Sequence, residues 1–152
     1  MTTFTKWFLL IAVTGTALFF AETKGAISLI VENDKSYLAI VIMALFAATS
    51  AFVGVLSYRT DVANQEQKKQ LNTSSNLGWF CAEHFFSLGL LGTIIGLVLA
   101  TGGSLDGSNP VSEIVAGLKE GLNTAFFTTI CGIVFSLLLQ IQLLVLENGL
   151  KK

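Results

Sequence analysis

In the run "SLGLLGTIIGLVLATGG", Ser87 to Gly103, the glycines Gly89, Gly92 and Gly96 recur every three or four residues, and Thr93 supplies a hydroxyl among them. A second apolar run, Ala125 to Leu146, carries Thr129, Ser136 and Gln140. At about 100° per residue, Ser136 falls roughly 20° from Thr129 and Gln140 roughly 20° to the other side, so the three stack on one helix face. Hydroxyls and amides offer lone pairs and exchangeable protons that can hold water or a passing cation. A glutamine is costly in lipid, so its face is expected to meet protein or water. On the helix that carries the first run, Ala82, Gly89, Gly96 and Ala100 lie within roughly 60° of Thr93. That small-residue face has two readings. It can let membrane helices approach closely, with each hydroxyl bonded to its own helix. Alternatively, the faces of both runs line a shared polar lumen.

The neighbours Glu83 and His84 invite a proton-relay reading. The same wheel sets His84 roughly opposite Thr93 and Glu83 about 80° away, so both are expected at a subunit or membrane interface. The chain contains no Ser/His/Asp set, metal cluster or phosphate loop, and its one histidine lacks a companion. Enzymatic chemistry is therefore not expected, nor is a bound cofactor or metal. Cys81 and Cys131 fall within apolar runs without metal-site spacing and read as buried small hydrophobes.

These residues need a scaffold that lipid can solvate. Of the 152 residues, 53% are hydrophobic and 12% charged. Soluble domains carry about twice that charged fraction. The net charge of -1 gives no sign of nucleic-acid binding. Four segments reach the length, about 20 residues, that a helix needs to cross the hydrocarbon core. They are Phe4 to Ala21, Tyr37 to Tyr58, Trp79 to Ala100 and Ala125 to Leu146. "FFAETKG" is a poor cleavage site, so the first segment is expected to remain as an anchor. "AISLIV", Ala26 to Val31, is too short to cross. Lys6, Arg59, Lys68, Lys69, Lys151 and Lys152 group on one side, with Lys24, Lys35 and Lys119 on the other. The excess of basic residues predicts that both termini and the central loop are cytoplasmic. The loop "RTDVANQEQKKQLNTSSN" is expected to extend the second span and break at "NTSSN". Asn109 and Pro110 read as the N-cap and first residue of a fourth helix close to 40 residues long, with Glu113 in its first turn. The expected all-α architecture divides into an outer helix pair (1–58), a cytoplasmic linker (59–76) and a pore-lining pair (77–152).

"GLLGTIIGL", from Gly89, and "GLNTAFFTTICGI", Gly121 to Ile133, resemble the two signature helices of the MotA/TolQ/ExbB proton-channel family. The resemblance covers about residues 80–142, and the wording of the second motif looks nearest to the ZorA-like branch. It implies a pentamer in the bacterial inner membrane around two single-span helices of a MotB/TolR/ExbD-like partner. The partner's carboxylate would carry the proton or sodium ion. Ion flow would turn one set of subunits about the other. The family's lumen threonines map onto Thr93 and Thr129. Ser136 and Gln140 extend that polar face, and Gly89, Gly92, Gly96 and Gly132 become helix-packing positions. Three departures qualify the match. Thr124 stands where ExbB- and TolQ-like members have a glutamate, "HFFSL" lacks their proline, and neither the large cytoplasmic domain of MotA nor the long tail of ZorA is expected. A structural or holin-like membrane scaffold is the alternative.

Overall fold

The computed structural model describes residues 2–102 and 110–151. They form five helices: α1 (Thr3–Thr23), α2 (Ala26–Asn33), α3 (Leu38–Val62), α4 (Gln65–Gly102) and α5 (Val111–Leu150). Among the described residues there is no strand. Four helices, α1, α3, α4 and α5, are long and apolar enough to cross a membrane. With 38 and 40 residues, α4 and α5 run about 57 and 60 Å, far more than the roughly 30 Å hydrocarbon core.

Local chemistry sets the boundaries. Thr2 caps α1 by accepting the Thr5 N–H at 3.2 Å. Gly25, at φ 72°, makes the left-handed turn into α2. Asp34 is almost fully buried and caps α3, accepting the Ala39 N–H at 2.7 Å and the Ser36 N–H at 2.9 Å. The break between α3 and α4 is only Ala63 and Asn64. There the Gln67 side chain reaches back to the Asn64 N–H at 3.1 Å, the returning half of a capping box. The helix does not break at "NTSSN", where the sequence reading expected it to. Thr73, Ser74 and Ser75 donate their hydroxyls to Lys69 O, Gln70 O and Asn72 O, which folds this polar run into α4. The expected linker 59–76 is therefore the last turn of α3 and the first three turns of α4. Pro110 itself is the N-cap of α5, one position later than expected for that role, and its carbonyl accepts from Glu113 N at 2.9 Å. Asn109 lies outside the described residues.

The scaffold is organised by one long antiparallel seam. The buried residues of α4 are Ser75, Gly78, Ala82, Phe85, Gly89, Gly92, Gly96 and Ala100. As far as Gly96 the spacing alternates between three and four, a heptad repeat, the pattern that keeps a narrow stripe facing a partner helix. The partner is α5 of the same chain. An added Cβ on Gly132 would lie 2.8 Å from Gly89 Cα and 2.7 Å from Phe85 O, so the two main chains are in direct contact. Gly92 fits against the Thr128 side chain, and Gly96 against the main chain at Gly121 and Ala125. In lipid, where apolar burial gives little drive for association, this close approach holds the pair by dispersion.

The other helices cover one side of the pair. Phe46 of α3 meets Phe135 of α5 with ring centroids 4.8 Å apart. Trp7 of α1 lies over Gly54 of α3 and donates its indole N–H to the Gln142 carbonyl oxygen of α5 at 3.0 Å. Ser50 of α3 donates to the same oxygen at 2.8 Å. The cluster of Trp7, Ser50 and Gln142 thus ties three helices together at one buried amide.

Candidate functional site

Thr93 and Thr129 meet across the seam. Their hydroxyls share a hydrogen bond, and both side chains are half-buried. Thr129 Oγ1 also lies 2.9 Å from Ala125 O, and Thr93 Oγ1 lies 3.3 Å from Gly89 O and 3.4 Å from Ala125 O. Two hydroxyls and two helix carbonyls therefore converge on one spot. This is an oxygen cluster able to exchange partners with water or a bound cation. None of the four groups ionises in the ordinary range, so the cluster can hold or relay an ion but cannot itself change charge.

Further along α5, Ser136 donates to Ala82 O at 2.7 Å and accepts from Gln140 Nε2 at 3.2 Å. Glu83, Phe86, Ile133, Ser136, Leu137 and Gln140 line a groove of about 420 Å³ between the two helices. Glu83, exposed, lines this groove together with Ser136 and Gln140, closer to the polar face than an ideal wheel places it. The physical reason is the heptad. At 3.5 residues per turn the ten residues from Glu83 to Thr93 leave an offset of roughly 50° rather than 80°. His84 stands apart from the groove, exposed, with Nδ1 2.7 Å from Phe80 O and its ring against the Phe80 ring.

The glycines Gly89, Gly92, Gly96 and Gly132 all lie in the α4–α5 contact within one chain. Thr124 is fully buried on the opposite side of α5 from the cluster. Its hydroxyl donates to Asn33 O at 3.0 Å and accepts from Lys35 N at 3.2 Å, tying the α2–α3 connection to α5. Thr128 is fully buried and bonded to its own helix at Thr124 O. Cys81 and Cys131 are free thiols, and Cys131 is buried.

Two structural residues escaped the sequence reading. Gln142 is two residues from Gln140, or roughly 200° around the helix, and faces α1 and α3 instead of the groove. Asp61 accepts from Thr3 N at 2.8 Å and Phe4 N at 2.9 Å, so a side chain at the end of α3 caps the start of α1. A signal for Gln142 was present, because an amide in an apolar span must find partners. Its partners lie on α1 and α3, far away in sequence.

No curated protein and no solved structure matches the chain. The family model of the MotA/TolQ/ExbB proton channel family matches residues 55–152, which take in the end of α3 and all of α4 and α5. The match thus spans both helices of the seam and every residue of the hydroxyl cluster, and the chain belongs to the MotA/TolQ/ExbB proton channel family.

Proposed function

We propose that this chain is an ion-driven motor or force-transducing subunit of the bacterial inner membrane. Five copies surround two transmembrane helices of a MotB/TolR/ExbD-like partner, and both termini face the cytoplasm. The observation that carries this reading is the meeting of Thr93 and Thr129 on the side of the seam that α1 and α3 leave uncovered. In a ring of such subunits, the uncovered sides form a lumen with a belt of hydroxyl and carbonyl oxygens.

The mechanism follows from what that belt lacks. An unpaired charge does not enter an apolar tube without neutralising. The belt offers oxygens but no group that changes charge, so the ion must arrive on a partner's carboxylate. The hydroxyls stabilise that carboxylate in turn, exchanging hydrogen bonds as it loads or releases a proton or sodium ion. Each exchange favours a new register between partner helix and ring, and rotation results. The basic excess at the end holding Lys6, Arg59, Lys68, Lys69 and Lys151 supports the orientation.

The test is ion flux in proteoliposomes, with and without the partner, on complexes first shown to be assembled. The chain alone is expected to be silent. Thr129→Val keeps the side-chain shape and removes the hydroxyl, so it is expected to abolish flux while the complex persists. Robust flux from the chain alone, or full flux from the Thr129→Val complex, would overturn the reading.

A further inference from the structure

Each face-to-face pair along the open edge of the seam obeys one rule. On α4 the residues Trp79, Glu83, Phe86, Leu90 and Thr93 each follow immediately after a buried seam residue: Gly78, Ala82, Phe85, Gly89 and Gly92. On α5, Thr129, Ile133, Ser136, Gln140 and Glu147 likewise follow Thr128, Gly132, Phe135, Leu139 and Leu146. Three observations show that these two edges lie on the same side. Thr93 bonds Thr129, Glu83 shares its groove with Ser136 and Gln140, and Trp79 Nε1 donates to Glu147 Oε1 at 2.7 Å. The result is a polar line with three levels. The hydroxyl cluster stands at one level, and Glu83 with Ser136 and Gln140 at the next. The last level is Glu147, which pairs with Lys151 at 3.8 Å near the chain's basic end. Between the first two levels the edge is apolar, with Phe86, Leu90 and Ile133.

Glu83 differs from every other acidic group on this line. Glu147 is held by Trp79 and Lys151. Glu83 is exposed and has no hydrogen-bond or ion-pair partner among the described residues, and it lies one turn inside Trp79 on a helix long and apolar enough to cross a membrane. An ionisable residue at such a place is costly unless something outside its own fold compensates it. The Gln140 carbonyl oxygen in the same groove also has no partner among the described residues.

We infer that Glu83 is a second ion-holding station of the pathway, supplied by this chain, at which Gln140 and Ser136 help to hold a proton or monovalent cation between the hydroxyl cluster and the basic end. The inference rests on the proposed function and deepens it. An ion released from the partner's carboxylate at the hydroxyl cluster crosses the apolar level with water. It is taken up by the Glu83 carboxylate and then leaves to the solution, so the carboxylate is restored to its starting form. A ring of these subunits would place five such carboxylates at one level.

Two measurements test it, both on the full chain assembled with its partner. In a background with Cys81 and Cys131 replaced by alanine, single cysteines at Glu83 and Gln140 are treated with a water-soluble methanethiosulfonate. Both are expected to label, whereas Val13→Cys, on the exposed outer face of α1, is not. If Glu83→Cys is as unreactive as Val13→Cys, the residue faces lipid and the inference is wrong. Flux in proteoliposomes then separates the two claims. Glu83→Gln is expected to lower flux by about tenfold, the scale of losing one charge-assisted hydrogen bond, and Glu83→Asp to restore most of it. Full flux with Glu83→Gln, alongside silence with Thr129→Val, overturns the second station and leaves the proposed function standing. Full flux with Thr129→Val overturns both.

Discussion

Replacing Gly96 by alanine adds one methyl group where main chain faces main chain. An ideal Cβ there would lie 2.5 Å from Gly121 O and 2.6 Å from Ala125 N. Neither atom belongs to a side chain that can swing away. Reaching an ordinary contact of 3.4 Å requires α4 and α5 to part by roughly 0.8–0.9 Å at this point. A gap of that size forfeits about a quarter to a half of the dispersion well for each contact it opens. Overpacking of a close-fitted site costs about 1–3 kcal/mol. With backbone on both sides, the upper part of that range applies, about 2–3 kcal/mol. For a chain of this size that lowers the melting temperature by about 4–12 °C. The control is Gly15→Ala on α1, where an added Cβ meets nothing within 4 Å. That change removes only a helix-propensity penalty and is expected to be neutral or stabilising by up to about 1 kcal/mol. Tryptophan fluorescence during heating in detergent reads both variants, because Trp7 and Trp79 each donate their indole N–H across a helix contact with α5. A Gly96→Ala protein that melts with the parent would refute the claim that the seam depends on direct backbone contact.

Two further changes probe how the outer helices are attached. Asp61→Ala removes the carboxylate that accepts from Thr3 N and Phe4 N. It should cost about 1–2 kcal/mol, as for a lost N-cap, and appear as faster hydrogen exchange confined to the first turn of α1; unchanged exchange there would count against the cap. Gln142→Leu strands the Trp7 indole N–H in a buried site, a loss of about 1–3 kcal/mol. It should free α1 from α5, seen as increased quenching of Trp7 with Trp79 replaced by phenylalanine, while a Trp7 environment identical to the parent's would contradict the three-helix tie.

The spans and the hydroxyl faces were legible because they are local patterns. Twenty apolar residues announce a crossing helix whatever surrounds them, and Thr129, Ser136 and Gln140 fall on one face by spacing alone. What stayed hidden depends on partners remote in sequence. Gln142 looks like Gln140 until Trp7 and Ser50 are brought to it. Asp61 looks like a solvated charge until the start of α1 arrives beside it. The "NTSSN" run misled for a different reason. Its residues favour turns, but their hydroxyls also bond back to the preceding helical turn, and continuity with the long α4 seam decided the outcome. The angular position of Glu83 relative to Thr93 shifts with the helix repeat assumed. A wheel drawn at 3.6 residues per turn accumulates roughly 20° of error per heptad on a helix packed by a 3.5-residue repeat.

The two sides of the α4–α5 pair have opposite requirements, and the residues on each side meet them. The covered side must not move. There the Phe46–Phe135 contact, the amide of Gln142 and the hydroxyl of Thr124 each bind a different outer element to α5. A glutamate at position 124 would face Asn33 and Lys35, away from the hydroxyl cluster. In the proposed mechanism the open side exchanges partners. Ser136 and Glu147 on this side are hydrogen-bonded, Thr93 and Thr129 bond each other and nearby helix carbonyls, and Glu83 is exposed with no partner among the described residues. The glycine seam connects the two sides. The backbones of α4 and α5 are in direct contact along it. In the proposed ring, a displacement of the pair would therefore be shared with α1 and α3 through the Trp7–Gln142 and Phe46–Phe135 contacts.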